Sequence, residues 1–277
     1  MAGWLLYSPE GYAKNRWFAD RILASAAKEG LEIALHLVSE ADGLPSGPTP
    51  DFAVMRVIRP DLSVLLEAKG VRVFNNEETA RIANDKWETF RLARKLGIPV
   101  LETMRFTLPE CSSVRFPCVV KSLDGHGGNE VFFVRDANAL EPLLASTGKR
   151  TFVAQPLCDE PGVDMRVYML GGEAVAAVRR MSKTDFRSNF TLGGEVMSAA
   201  PDAGQLAVAR RLHGWFGFDF AGVDFIRHNG RWVLNEIEDV VGTRMLYATA
   251  RFDVAAMFMR HVRMSQQSER RGIFFRF

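Results

Sequence analysis

Residues Trp232-Val233-Leu234-Asn235-Glu236-Ile237-Glu238-Asp239 read as a strand, and strand side chains two apart share a face. Glu236 and Glu238 therefore point the same way. Two carboxylates side by side repel each other, and a divalent cation that favours hard oxygen ligands, magnesium, removes the conflict. Upstream, Ala221-Gly222-Val223-Asp224-Phe225-Ile226-Arg227 is a second strand with one acid in an apolar run, and His228-Asn229-Gly230 joins the two into a hairpin. The loop length decides what the pair can do. A two-residue Asn229-Gly230 turn pairs Asp224 with Asn235 and sends Asp224 to the face opposite Glu236. A three-residue loop, with Gly230 left-handed in a bulge and Arg227 opposite Arg231, brings the three acids to one face. A metal site requires the three-residue loop. The plain alternative is a solvated acidic edge of an ordinary hairpin.

The 277 residues around this hairpin suffice for two lobes or three subdomains. Hydrophobic residues make up 47% and charged residues 25%, the mix of a soluble globular protein, and the net charge of +2 gives no bias toward nucleic acid. Cys111, Cys118 and Cys158 have no metal-ligand spacing and form no disulfide framework, which fits a reducing cytoplasm. The start of the chain lacks a basic n-region and a cleavage site, and no run is long enough to span a membrane.

The first third alternates strand and helix, the signature of a parallel sheet. Strands are expected at 4–7, 31–38, 52–58 and 71–74, and helices from about Asn15 to Lys28 and from Leu62 to Lys69, with Ser8-Pro9-Glu10-Gly11 as a loop. Asn15, Arg56 and Arg59 fall near carboxyl ends of strands, where such sheets bind ligands; ordinary surface polarity is the blander reading of each. A helix capped by Asn84 follows and ends at Gly97-Ile98-Pro99. Lys86 sits in its first turn, where the helix dipole disfavours a cation unless an anion is near. A strand ending at Lys121 leads through a loop bearing Gly125, Gly127 and Gly128 into the strand 130–134. Glycines let backbone N–H groups close on a phosphate, although glycine is also common in hairpins. Strands at 151–157, 164–170 and 173–180 come next, the last two turning on Gly171-Gly172. Arg179, Arg180, Lys183 and Arg187 then cluster ahead of Ser188-Asn189, a density of cations suited to phosphate or carboxylate, or to a basic surface loop. Helices are expected around Leu206–Trp215 and Phe252–Val262.

Each motif has a bland explanation, but their order is specific. A lysine opens a helix, a second lysine leads into strand, glycine loop and strand, an Arg-x-Asn segment follows, and an acidic hairpin closes the set. This order resembles the ATP-grasp superfamily and, within it, the RimK-like amino-acid ligases of the ribosomal-protein-S6-modification type. The resemblance runs from about residue 50 to residue 240, through Asn84-Asp85-Lys86, Val119-Val120-Lys121, Gly162-Val163-Asp164-Met165-Arg166, Asp185-Phe186-Arg187-Ser188-Asn189 and Asn235-Glu236-Ile237-Glu238.

The resemblance implies an ATP-grasp fold: an N-terminal parallel α/β domain (1–84), a central subdomain with a glycine-rich lid (85–155), a C-terminal subdomain with the metal site (156–265) and a tail (266–277). It implies that Lys86 and Lys121 contact the ATP phosphates under a lid of Gly125, Gly127 and Gly128. Gln155, Pro156 and Leu157 hold adenine, and Asp164 binds ribose. Arg187, Ser188 and Asn189 face the phosphates, with Arg187, Arg166 and Arg179 as the catalytic set. Asp224, Glu236 and Glu238 bind two magnesium ions, or manganese in their place. The implied activity joins a carboxylate, free or in a peptide, to an amine acceptor through an acyl phosphate, in the cytoplasm, without nucleic acid or membrane and compatibly with a homo-oligomer. Three departures qualify the match. Glu238 stands where the family usually has Asn, Pro156 follows the hinge glutamine where an acid is usual, and Asp239-Val240-Val241-Gly242-Thr243-Arg244 replaces a run of small residues beside the acceptor. Two other readings share these motifs: a kinase of the same fold, and a nucleotide-binding regulator without turnover, the latter kept open by Glu238.

Overall fold

A computed structural model describes residues 1–107, 113–123, 125, 130–149, 151–188 and 194–270, with 269 and 270 by backbone only. The N-terminal sheet is parallel, as the alternation of elements requires. Strands β1 (Ala2–Tyr7), β2 (Glu32–Leu37), β3 (Phe52–Met55) and β4 (Arg72–Phe74) lie in the order β2-β1-β3-β4, and α1 (Pro9–Lys28) and α2 (Pro60–Glu67) cross between them. Its two faces follow the two-residue period of a strand. Leu5, Tyr7, Phe52 and Val54 pack toward α1, while Trp4, Leu6, Ala53 and Met55 pack toward Leu62 and Leu66 of α2. The segment Ser8–Gly11, expected as a loop, is the start of α1. The Ser8 hydroxyl caps the helix by accepting from the Gly11 N–H at 2.9 Å, with Pro9 in the first turn, where its missing N–H costs nothing. Arg59 is tied into the neighbouring loop through the Ser39 and Asp42 carbonyls and the Asp61 carboxylate.

Helices α3 (Glu77–Ala83) and α4 (Lys86–Lys95) lead to an antiparallel sheet, β5 (Met104–Thr107), β6 (Cys118–Ser122), β7 (Val131–Val134) and β8 (Thr151–Gln155), ordered β5-β8-β6-β7. Helix α5 (Ala137–Ala145) packs its Leu140 and Leu144 on one face. The cap of α4 is Asp85, not Asn84: its carboxylate accepts from the Trp87 and Glu88 N–H groups, while Asn84 donates to the Asp239 carboxylate at 2.8 Å.

The third sheet is antiparallel and comprises β9 (Val163–Leu170), β10 (Glu173–Met181), β11 (Glu195–Ala199), β12 (Phe220–His228) and β13 (Arg231–Glu238), ordered β11-β10-β9-β12-β13. Helix α6 (Ala203–Phe216) covers one face, with Leu212 and Phe216 packed among Val167, Val223 and Ile237. Helices α7 (Arg244–Thr249) and α8 (Val254–Arg270) follow, and α8 packs Phe258 and Val262 with Phe18 and Ile22 of α1. It continues past the point where the sequence reading starts a tail, and Gln266 is buried on it. Asn75, just beyond β4, fastens the first sheet to the third. Its amide donates to the Phe220 and Asp239 carbonyls at 2.9 and 3.0 Å and accepts from the Asp219 and Phe220 N–H groups at 2.6 and 3.0 Å. Among the described residues no helix is long and apolar enough to cross a membrane.

The β12–β13 hairpin corrects the expected register. Its turn has two residues, with Asn229 and Gly230 both left-handed (φ 50° and 71°) and His228 opposite Arg231. Left regular, that turn would put Asp224 opposite Asn235. Instead a bulge at Asn235 separates the Phe225–Leu234 pair from the Asp224–Glu236 pair. The acids share a face as a metal site needs, but the extra residue lies within β13 and not in the turn.

Candidate active site

The central and C-terminal sheets face each other across a cleft of about 740 Å³, its open mouth included. Of the residues singled out in the sequence, Lys86, Lys121, Gly125, Gln155, Pro156, Leu157, Asp164, Arg187, Ser188 and Glu236 line it. Gly127, Gly128 and Asn189 lie outside the described residues. Leu101, Val119, Val131, Leu157 and Ile226 give the cleft apolar walls suited to a flat ring. The Gln155 amide N–H donates to the Thr103 hydroxyl at 2.7 Å. Thr103 in turn donates to the Leu101 carbonyl at 2.9 Å, so it can only accept from Gln155. Among the described residues the Gln155 side-chain oxygen has no hydrogen-bond partner.

Charged residues line the same cleft. Lys121 is nearly buried, and its ammonium donates to the Asn235 side-chain oxygen across the cleft at 2.9 Å. Burial pushes its pKa down to about 8, against the pull of the Glu236 carboxylate and with a further push from Lys86. Lys86 donates to the Gly125 carbonyl at 2.5 Å, so the first turn of α4 reaches the glycine loop. A smaller cavity of about 360 Å³, lined by Asn84, Lys86, Thr89, Asn235, Glu236 and Glu238, shares the lysine and the bulge with the main cleft. The bulge explains why Asn235 and Glu236, adjacent in sequence, both reach the cleft, which a regular strand forbids. Asn235 is a site residue that the sequence reading missed. A bulge in β13 leaves no mark in the hydrophobic pattern.

Beneath the cleft, one face of the third sheet carries a ladder of buried ion pairs. Arg180 donates to both oxygens of Asp164, at 2.5 and 2.7 Å, and to Asp224 at 2.6 Å. Arg166 binds Asp224 in a fork, Nε to Oδ1 at 2.7 Å and Nη2 to Oδ2 at 2.6 Å, and its Nη1 lies 2.6 Å from Glu238 Oε2. Burial pushes the Asp224 carboxyl up, but the two guanidinium groups overcome it and hold the pKa at about 2. For Asp164 burial prevails over Arg180 and the pKa is raised. The carboxylate that the resemblance gives to ribose is thus engaged by Arg180, although the residue lines the cleft. Arg187 lines the cleft beside Asp185, which accepts from its Nη2 at 2.7 Å.

Arg179, expected beside Arg166 and Arg187, lies away from the charged face. It stands opposite Met165, on the face covered by α6, whereas Arg180 stands opposite Asp164 on the charged face. The cause is a second bulge, between Ala174 and Ala176 of β10. Without it, counting from the Gly171-Gly172 turn would set Arg179 against Asp164.

Asp224, Glu236 and Glu238 each offer an oxygen, and the three lie within 4.8 Å of one another. Three hard donors on one face suit a magnesium-type cation, and side-chain adjustment brings such a spread within bonding reach. The donor set fits, with the qualification that both Asp224 oxygens already accept from guanidinium groups.

Comparison with known proteins adds to this geometry. A family model described as the RimK-like ATP-grasp domain matches residues 83–262, well over half of the chain. A probable alpha-L-glutamate ligase of Haemophilus influenzae is 26% identical over 212 residues, 72% of this chain and 69% of its own. Among solved structures, a RimK domain ATP-grasp protein of Sphaerobacter thermophilus has a TM-score of 0.73 at 22% identity, covering 95% of this chain and 99% of its own. The ATP-grasp ligase PsnB, solved with a minimal precursor, Mg and ADP, has a TM-score of 0.69 at 15% identity, covering 96% of each chain. These structural likenesses show that the three-sheet architecture is an ATP-grasp fold.

Proposed function

Because the chain belongs to the RimK-like ATP-grasp family, we propose that it is an ATP-dependent carboxylate–amine ligase that forms an amide or peptide bond and releases ADP and phosphate. The observation that carries this reading is the cleft, where Lys86 and Lys121 stand beside an acidic hairpin and next to an apolar slot. That pattern accommodates a base, a polyphosphate and cations together. Substrate and cations enter between segments 85–155 and 156–265.

In this reading the apolar slot receives adenine, with the Pro156 and Leu157 backbone and the Gln155 side chain along its edge. Lys86 and Lys121 bind the phosphates and fix the γ-phosphoryl group. Ser188 and Arg187 close the same space from the strand β9 side. Magnesium, as two ions or with manganese in their place, would be held at the acidic hairpin through Glu236, with Asp224 and Glu238 adding negative charge beside it; when bound it would neutralise phosphate charge and polarise the γ-phosphoryl oxygens. A substrate carboxylate oxygen attacks the γ-phosphorus, the bond to the β–γ bridging oxygen breaks, and ADP leaves. The amine then attacks the acyl carbon, phosphate departs with the carbon–oxygen bonding pair, and the nitrogen releases a proton. The chain's own contribution is positioning and charge neutralisation by lysines and arginines, with Arg166 beneath the reacting groups. The partners are a small-molecule or peptide carboxylate and an amine acceptor, and the assigned location is the cytoplasm.

The test is incubation with ATP, magnesium and mixed amino acids, with and without hydroxylamine. Hydroxamate together with ADP is the expected result. ADP without hydroxamate would point to phosphorylation of an alcohol, and nucleotide binding without ADP to a regulator. Lys121→Ala should abolish ADP formation while the folded protein persists, since the side chain meets the cleft and not a hydrophobic core. Normal turnover in that variant would remove Lys121 from the phosphate site.

A further inference from the structure

We propose that Glu238 serves Arg166 and not the cation: it is a positioning residue that fixes the guanidinium across β12 and β13, and cation affinity rests on Glu236. The proposal deepens the ligase reading and rests on it to the extent that a divalent cation binds at the hairpin.

The geometry assigns every nitrogen of Arg166 to a carboxylate. Nε and Nη2 take the two oxygens of Asp224, and Nη1 takes Glu238 at 2.6 Å. The residue is 3% exposed, so no water replaces a lost partner. The path of its side chain is also reserved. A Cβ on Gly222 would lie 2.8 Å from Val241 Cγ2, 3.1 Å from Arg166 Cδ and 3.3 Å from Nε, so glycine at that position leaves room for both the valine and the arginine. A charged donor held by two anions in a fixed fork is far better anchored than one held by an anion and a neutral amide. Glu238 therefore supplies an anion that a neutral amide at that position could not, and its negative charge is matched by a positive one already in place. Glu236 differs. Among the described residues it has no ion pair with an arginine, and it faces the cleft and the smaller cavity together.

The experiment is titration of the full-length protein with manganese in the presence of ADP, followed by electron paramagnetic resonance of the free ion. Glu236→Gln should weaken manganese binding by about tenfold or more, the loss of one charge-assisted contact, and Glu238→Gln by less than about threefold. Arg166→Lys supplies the discriminating background. An ammonium cannot span Asp224 and Glu238, so Glu238 is released to the cation and Glu238→Gln now costs about tenfold. Equal losses from the two glutamine variants in the unmutated background, or the same small loss from Glu238→Gln in both backgrounds, would overturn the assignment and leave the ligase reading intact. A protein that binds no manganese with ADP would overturn the ligase reading and this assignment with it. A second readout does not depend on the double variant folding. The Arg166 Nε–Hε resonance should move in Glu238→Gln and stay in place in Glu236→Gln, and the reverse pattern would sink the proposal.

Discussion

The third sheet presents two faces cut from the same strands, and they hold together by different physics. On one, Met165, Val167, Val223, Phe225 and Ile237 meet α6 and gain from the removal of apolar surface from water. On the other, the alternate residues Asp164, Arg166, Arg180 and Asp224 are equally buried but gain from charge pairing with one another and with Glu238. The apolar face tolerates the loss of a contact in proportion to its size. The charged face tolerates the loss of a partner badly, because what remains is an uncompensated ion in a poor solvent for ions. A catalytic cleft needs the second kind of surface, and the first kind behind it keeps the strands in register.

Asp224→Ala is the sharpest way to break this contrast. It removes the anion shared by Arg166 and Arg180 and should cost about 3–5 kcal/mol in urea denaturation, with turnover lost as well. A cost below about 1 kcal/mol would mean that other groups support the two guanidiniums. Phe225→Ala, one residue along and on the opposite face, should cost about 3–4 kcal/mol as a transfer and cavity effect. Turnover per folded molecule should stay close to that of the parent. If it falls steeply, the two faces are coupled and the contrast fails.

The smallest effect concerns Asp239, just past the end of β13 and buried like Asp224 but with an amide and not a guanidinium for a partner. Burial raises its carboxyl from the ordinary 3.8 to about 6, although the hydrogen bond from Asn84 opposes the shift. The folded state therefore holds a proton here where the unfolded state has lost it. This contribution to stability is full below the unfolded pKa of 3.8, falls as pH rises to about 6, and is flat above. About two units correspond to at most about 3 kcal/mol. Asp224 runs the other way: its contribution is present above 3.8 and lost as pH falls toward 2. Urea midpoints measured from pH 4 to pH 7 should show the decline, and Asp239→Asn should flatten it. An unchanged slope in that variant would assign the decline to another group.

Much of this architecture can be read in the chain. Alternating strand and helix patterns announce the parallel sheet, because its central strands β1 and β3 are nearly continuous apolar runs. Lys86 and Lys121 reach the cleft as the motif order implies. The two register misreadings share one physical origin. Strand patterns report period two faithfully only while the ladder is regular, and both errors follow from single extra residues. Val175, between the two paired residues, exchanges Arg179 for Arg180 on the charged face, and Asn235 rescues the acids from a turn that would have separated them. Bulges carry no composition signal of their own. Asn229-Gly230 was a correct turn signal read as the wrong turn length. The helix start at Ser8 was hidden by the proline and glycine that follow it, residues that punctuate loops as often as they open helices.

Asn75 has a mechanical consequence. One side chain with four hydrogen bonds, reinforced by the Arg72–Asp219 ion pair and the Arg56 bond to the Val241 carbonyl, rivets the N-terminal sheet to the C-terminal one. Across the cleft, by contrast, the described residues of the central sheet meet the C-terminal sheet and its loops more sparsely: Lys121 donates to Asn235, Phe133 packs on Phe186, and the connecting chain ahead of β5 adds the Leu234 N–H bond to the Pro99 carbonyl. The assembly thus resembles a fixed frame with one hung door. The frame that carries the acids and arginines is held without help from the central sheet.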